Sequence, residues 1–177
     1  MGERHRRPDE SPTVETVDQV VYQVSERDKV DAFVEVYNGI EDDPRILVFR
    51  RTQIGVDRLA TALRRRGGQV AGLHGGMRQS ERDRVMTAFK AGDIDVLVAT
   101  NVAARGLDIP DVTHVVNFDI PQNAEEYIHR IGRTARAGKR GVAVTFVGEW
   151  DIDPFAQICA EVGIEPRAGV LHLYERG

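Results

Sequence analysis

Cysteine, lysine, aromatic side chains and long apolar runs are scarce in this sequence of 177 residues, and each scarcity excludes a class of protein or site. The single cysteine, Cys159, excludes a disulfide within one chain, and its apolar neighbours favour a buried helix residue over a reactive thiol. No apolar run approaches the roughly 20 residues of a membrane span. The N-terminus, MGERHRRPDESP, lacks the apolar core of a signal peptide. We therefore expect a cytoplasmic protein with no membrane partner.

The scarcity of lysine bears on nucleotide binding. A loop that cradles nucleotide phosphates normally ends in Gly-Lys-Ser or Gly-Lys-Thr. The three lysines are Lys29, Lys90 and Lys139, and none stands between a glycine and a serine or threonine. The acidic pairs Asp9-Glu10 and Asp42-Asp43 lie in a polar tail and in a turn, so neither ends an apolar strand as a magnesium-binding pair would. The sequence therefore predicts no phosphate-binding loop.

Arginine is abundant instead, with 21 residues. The segment YIHRIGRTARAG, residues 127–138, places Arg130, Arg133 and Arg136 at every third position beside His129. Guanidinium groups suit the bidentate recognition of phosphate oxygens, and a protein with a net charge of −4 can still present a basic face. The pattern predicts an anion site. The alternative for a generic run of this kind is a solvated basic helix face.

The predicted positions of Arg133 and Arg136 resemble those of arginine fingers. Asn123 can cap a short helix with an apolar inner side, after which Arg133 and Arg136 would project from the helix end and from the following loop. An arginine finger stabilises charge on a γ-phosphoryl group that is held elsewhere. The predicted inward positions of the helix are Tyr127, Ile128 and Ile131.

Strand and helix patterns alternate along the chain, which predicts an α/β fold with a mainly parallel central sheet and helices on both faces, a three-layer sandwich. Residues 1–17 are polar and are predicted to be a flexible tail or interdomain linker, and residues 18–177 a single folded domain. The predicted strands cover 17–24, 45–49, 70–73, 95–99, 112–118, 141–147 and 170–174. Helices are predicted after Ser25 and Thr52, each of which could cap its helix, and over 80–90 and 154–162.

Four unusual segments each follow a predicted strand, at the sheet edge where this type of fold binds ligands. They are FRRT (49–52), LHGGMRQSER (73–82), VATNVAARGLDIP (98–110) and NFDIPQ (117–122). In this order, and followed by YIHRIGRTAR, they closely resemble the motifs of the second RecA-like domain of DEAD-box RNA helicases, from about residue 20 to 147. The histidine and arginine that begin HRIGRTAR resemble the DEAD-box form rather than DEAH-box or RecQ-like relatives, which favours RNA over DNA.

The resemblance implies a RecA-like fold and half of an ATP-dependent RNA helicase. ATP and Mg²⁺ would be bound mainly by an N-terminal RecA-like domain that this sequence lacks, and the isolated domain would hydrolyse no ATP. Arg133 and Arg136 would reach the γ-phosphate, and His129 with Arg130 would couple this site to the interdomain contacts. The remaining residues assigned to the nucleotide side are Gly106 and Asp108 near the ribose, Arg105 as a bridge to the last motif, and Phe49 packed near that motif.

The resemblance also implies contacts with an RNA backbone. Aromatic residues are few near these loops, so recognition would use phosphate and 2′-hydroxyl groups irrespective of base sequence. Asn101 departs from the family, many members of which have aspartate there, and this puts a charge-dependent role at that position in doubt. The residues assigned to RNA are Thr52, Gly75, Gln79, Arg82 and Thr100.

Two other functions stay open on the sequence alone. In the first, the domain is a standalone RNA-binding or interaction module that binds no nucleotide, and the arginines of HRIGRTAR contact RNA or protein. In the second, the domain is half of a DNA-directed helicase of superfamily 2. A metal site is not expected, because His74 has no second ligand at metal-binding spacing.

Overall fold

Seven strands form one sheet in the computed structural model, which describes residues 16–107, 109, 112–134 and 140–175. The strands are β1 (Val17–Gln23), β2 (Ile46–Phe49), β3 (Val70–Leu73), β4 (Val96–Ala99), β5 (His114–Asn117), β6 (Gly141–Val147) and β7 (Arg167–Ala168). Their order across the sheet is β3-β4-β2-β5-β6-β1-β7, and every described pair is parallel. The predicted α/β class and parallel sheet are confirmed.

Helices cover both faces of the sheet because the strand side chains alternate between two apolar cores. The described helices are α1 (Lys29–Asn38), α2 (Gln53–Arg65), α3 (Gln79–Ala91), α4 (Asn101–Ala104), α5 (Ala124–Ile131) and α6 (Ile152–Val162). In β2, Ile46 and Val48 pack with α1 and α2, whereas Leu47 and Phe49 pack with α3 and α4 on the opposite face. A third core joins α5 and α6 to β6.

Side-chain caps begin the helices that follow the carboxyl edge of the sheet. The Thr52 hydroxyl accepts from the Gly55 N–H at 2.9 Å, and the Asn123 amide oxygen accepts from the Glu126 N–H at 2.8 Å. Both caps were predicted and are confirmed. Thr100 caps α4 in the same way, since its hydroxyl accepts from the Ala103 N–H at 3.3 Å. Each cap satisfies a backbone donor that has no partner within its helix. The third predicted cap, Ser25, is wrong: its side chain makes no capping bond and donates to the Asp28 carboxylate at 2.6 Å.

Two further local predictions are wrong. Residues 170–174 do not form the closing strand, which is β7; a 3₁₀ helix, His172–Tyr174, occupies most of that stretch. The Glu35 carboxylate accepts from the N–H groups of His172 and Leu173 at 2.6 and 3.0 Å, so these donors are not available to a neighbouring strand. Ile128, predicted to point inward from α5, is 44% exposed.

Within the described residues, no helix has the length and apolar character needed to cross a membrane. The first 15 residues of the predicted tail or linker lie outside the described part of the chain, whereas β1 already begins at Val17.

We expect Gly169→Ala to destabilise the domain by about 1–3 kcal/mol, the usual cost of overpacking. A Cβ atom at this position would lie 2.2 Å from Cε1 of Tyr22, and the Gly169 backbone is tied to β1 by an N–H donated to the Val21 carbonyl at 2.8 Å. The Tyr22 ring cannot withdraw easily, because it packs edge-on against Phe146 at 6.2 Å between centroids. Urea unfolding followed by circular dichroism measures the effect.

Gly39→Ala is the matched control. Its new Cβ would meet only the carbonyl oxygens of Val36 and Glu35, at 3.5 and 3.6 Å, which are ordinary contacts. We expect a change close to zero. Equal unfolding midpoints for the two variants would show that the contact between Gly169 and Tyr22 does not constrain the fold.

Candidate functional site

A cleft of about 400 Å³ lies at the carboxyl edge of the sheet, where the end of β2 meets α4 and α5. Parallel strands bring their carboxyl ends to one edge, so segments distant in sequence converge here. Five of the residues that the sequence analysis assigned to the site line this cleft, together with Asn101, which stands where many members of the family have aspartate. These six residues are Phe49, Asn101, Arg105, His129, Arg130 and Arg133.

Arg130 is buried beneath this cleft, with 3% of its surface exposed. Its Nε donates to the Asn101 amide oxygen at 2.8 Å, and one terminal nitrogen donates to the Asn117 amide oxygen at 3.1 Å and to the Asp119 carbonyl at 2.9 Å. The other terminal nitrogen is paired with the Glu126 carboxylate at 3.0 Å. The guanidinium therefore joins the ends of β4 and β5 to α5.

Phe49 completes the surroundings of Arg130. The guanidinium carbon of Arg130 lies 4.9 Å from the centre of the Phe49 ring, a cation–π contact. Burial lowers the pKa of Arg130 to about 10, against the opposing effect of the Glu126 and Asp119 charges. The side chain remains cationic at neutral pH, but its donors face protein acceptors and not the open cleft.

Arg133 lies just beyond the end of α5 and is half-buried. Its terminal nitrogens donate to the carbonyls of Ala104 and Leu107, at 3.2 and 3.4 Å. Because Ala104 is the last residue of α4, the two arginines hold this short helix at both ends. The second predicted finger, Arg136, and the predicted ribose contact, Asp108, lie outside the described residues.

The contacts between VATNVAARGLDIP and HRIGRTAR that the structure describes are made by Arg130 and Arg133. Arg105, which the resemblance assigned as the bridge, has an exposed side chain on the wall of the same cleft. Gly106, beside it, has a φ of +75°, a conformation that favours glycine. His129 is exposed and also lines the cleft.

The residues assigned to RNA lie along the adjoining part of the sheet edge. Thr52 and Thr100 follow β2 and β4, and Gly75 follows β3, so the three stand at the ends of neighbouring strands. The loop at Gly75 adjoins the start of α2: a Cβ atom there would lie 3.6 Å from the side-chain nitrogen of Gln53. Thr52 is exposed, whereas Thr100 is only 7% exposed.

Gln79 and Arg82 occupy the first turn of α3 at the same edge. Arg82 donates to the Gln79 side-chain oxygen at 2.8 Å, and Gln79 donates to the Asp83 carboxylate at the same distance. These bonds order two polar side chains beside the unpaired N–H groups of a helix start, where phosphate is favoured.

Comparison with known proteins gives the family. Residues 28–138 match the model of the helicase conserved C-terminal domain. The structure superposes on the C-terminal domain of the DEAD-box protein Dbp5 with a TM-score of 0.80 and 36% identity, covering 88% of this chain and 91% of that one. The chain is a DEAD-box helicase C-terminal domain.

Two further relatives support this assignment. The chain is 52% identical over 135 residues to the DEAD-box ATP-dependent RNA helicase CshA of Geobacillus kaustophilus. The aligned region covers 76% of this chain and 29% of the relative. It also matches S. cerevisiae Dbp5 bound to RNA and ADP BeF3, with a TM-score of 0.83 and 35% identity, covering 92% of this chain and 44% of that one. The chain thus spans less than a third of the length of CshA.

His74 has a local structural task in this helicase domain. It is 7% exposed; its Nε2 donates to the Asp57 carboxylate at 3.0 Å, and its Nδ1 accepts from the Gly76 N–H at 3.0 Å. The ring therefore holds the loop after β3 against α2. Among the described residues, no group of three or more His, Cys, Asp or Glu side chains is placed to hold a metal ion.

Sequence reasoning missed the polar residues that support the site. Asp119 receives two bonds from Arg50, at 2.9 and 3.2 Å, and one from the Arg51 N–H at 2.7 Å. Burial raises the pKa of Asp119, but these bonds and the positive charges of Arg50 and Lys29 outweigh it, so the pKa lies below its usual value. The sequence analysis identified both FRRT and NFDIPQ, but neither segment contains a signal that Arg50 and Arg51 of the first would bind Asp119 of the second.

Proposed function

We propose that this domain is the second RecA-like half of an ATP-dependent DEAD-box RNA helicase, completing an ATP site whose phosphate loop belongs to another domain. The observation that carries the proposal is the cleft at the carboxyl edge, where Arg130 and Arg133 link HRIGRTAR to VATNVAARGLDIP. The similarity to CshA, an ATP-dependent RNA helicase, supports it.

On the nucleotide side, Arg133 and Arg136 act as arginine fingers on the γ-phosphate, and Gly106 and Asp108 lie near the ribose. The wall of the cleft carries Arg105, His129 and Arg133, which suit phosphate, together with Glu125 and Glu126, of which Glu126 is paired with Arg130. The described residues offer no carboxylate cluster for Mg²⁺, so we assign the metal to the P-loop domain. A cytoplasmic location is part of the same proposal.

On the RNA side, Thr52, Gly75, Gln79, Arg82 and Thr100 contact the backbone of a single strand. These residues lie at one edge of the sheet and offer hydroxyl, amide, guanidinium and backbone groups. Such groups bind phosphate and ribose and do not read bases. ATP and RNA together close this domain against the P-loop domain, and release of the strand follows hydrolysis, a gating step of the usual kind.

The test is ATP hydrolysis with and without single-stranded RNA, by this chain alone and by the full-length protein that contains it. We expect turnover only in the full-length protein, with stimulation by RNA and a weaker response to the corresponding DNA strand. Binding of RNA by the isolated chain should be weak and should fall with salt, because only part of the phosphate-contacting surface is present.

Substantial hydrolysis by the isolated chain would refute the divided site. Absence of RNA stimulation in the full-length protein would refute the helicase role and favour a standalone RNA-binding or interaction module. Equal stimulation by ribose and deoxyribose strands would favour a DNA-directed helicase of superfamily 2.

A further inference from the structure

Glu126 supplies the carboxylate that pairs with the buried guanidinium of Arg130 in the described part of the chain. One carboxylate oxygen of Glu126, Oε2, lies 3.0 Å from the arginine nitrogen and also accepts from the Gln122 N–H at 2.8 Å. Glu126 is 20% exposed, against 3% for Arg130, so the pair is largely shielded from water. The bond from the Gln122 N–H fixes the carboxylate to the backbone before α5.

The other described acceptors of Arg130 carry no charge. They are the amide oxygens of Asn101 and Asn117 and the backbone carbonyl of Asp119. The carboxylate of Asp119 is committed elsewhere, to the Arg50 side chain. A hydrogen bond to an ionised acceptor is roughly twice as strong as one between neutral groups. The position of Arg130 therefore depends on Glu126 more than on any of its neutral acceptors.

Arg130 in turn is bonded to α4. It binds the first residue of this helix, Asn101, while Arg133 binds the last, Ala104, and the Arg133 N–H donates to the Arg130 carbonyl at 3.3 Å. Thr100, which caps α4, is one of the residues that we assign to RNA. A shift of Arg130 would therefore move the RNA-side end of α4 relative to the nucleotide-side arginine.

We infer that Glu126 is a positioning residue: its carboxylate holds Arg130 against α4 and so sets the distance between the RNA edge at Thr100 and the nucleotide edge at Arg133. Asn101 occupies a neighbouring position on α4 where a carboxylate could share this task, and in this chain it is neutral. The consequence for turnover rests on the proposed function, whereas the pairing itself does not.

The first test needs neither ATP nor RNA. Urea unfolding of this chain is measured for Glu126→Gln, for Asn101→Asp and for both together. Glu126→Gln removes the charge but keeps an acceptor, and we expect it to raise the unfolding equilibrium constant about tenfold. In the Asn101→Asp background we expect an increase of less than about threefold, because a carboxylate then lies on the other side of Arg130.

Glu125→Gln is the matched control, since it removes the same charge from an exposed neighbour on the same helix. It should change little in either background. An equal effect of Glu126→Gln in both backgrounds would overturn the inference, because Asn101 and Glu126 would then not act on one guanidinium.

The second test uses the full-length protein and the ratio of ATP turnover with and without single-stranded RNA. We expect Glu126→Gln to lower this ratio roughly tenfold and Asn101→Asp to restore it. An unchanged ratio in Glu126→Gln would overturn the positioning role and leave a structural ion pair. If the unsubstituted protein showed no RNA stimulation, the proposed function would fail, and the unfolding measurements would still show whether the pair exists.

Discussion

Replacing Arg133 by alanine is expected to lower ATP turnover of the full-length protein by about 10³-fold to 10⁵-fold, the range measured for arginine fingers in other phosphoryl-transfer enzymes. Charge builds up on the γ-phosphoryl oxygens in the transition state, and a guanidinium beside these oxygens stabilises that charge. Arg133 lies at the end of α5 on the wall of the cleft, with its backbone tied to that of Arg130.

The same variant should retain most of its RNA affinity, because the residues that we assign to RNA follow β2, β3 and β4 and not α5. Arg133→Lys should recover only part of the activity, since an ammonium lacks the planar fork of a guanidinium. Lys90→Ala is the control: it removes an exposed positive charge from the end of α3, outside the cleft. Loss of RNA binding without loss of turnover would identify Arg133 as an RNA ligand instead of a finger.

Arg130→Met is expected to destabilise the domain by about 3–5 kcal/mol, the usual cost of removing one partner of a buried ion pair. Methionine occupies a similar volume but donates no hydrogen bond. The amide oxygens of Asn101 and Asn117 would lose the donor that Arg130 provides, and the Glu126 carboxylate would lose its positive partner and keep only the bond from the Gln122 N–H. A buried acceptor or charge without its partner costs more than the lost bond is worth. Urea unfolding of this chain measures the effect.

Two controls separate burial from charge in this experiment. His129→Ala changes the adjacent residue, which is exposed, and should shift the unfolding free energy little. Arg130→Lys keeps the charge but cannot reach Asn101, Asn117 and Glu126 at once, so we expect an intermediate loss. A stability equal to that of the parent chain in Arg130→Met would show that the buried network contributes nothing to the fold.

These two predictions concern arginines that look alike in the sequence. Arg130 and Arg133 share one basic segment at a three-residue spacing, and the spacing alone treats both as anion ligands. The fold buries Arg130, which lies on the inner side of α5 with Tyr127 and Ile131, and leaves Arg133 half-buried on the cleft wall, because Arg133 lies in the turn beyond the end of that helix. Ile128 is exposed because it lies on the outer side of the same helix.

The sequence by itself determined the α/β class, most strand positions, the caps at Thr52 and Asn123, and the segments that form the site. These follow from local rules: side-chain periodicity, capping chemistry, and the motif order that carries the family resemblance.

Only the tertiary structure decided which polar residues pair. The partners of Arg130 lie up to 29 positions away, and Arg50 and Asp119 lie 69 positions apart. No local pattern encodes such pairs, because they form where parallel strands bring distant carboxyl ends to one edge. The predicted closing strand also depended on a distant residue: the Glu35 carboxylate of α1 accepts from the N–H groups of His172 and Leu173, which lie in the 3₁₀ helix found there.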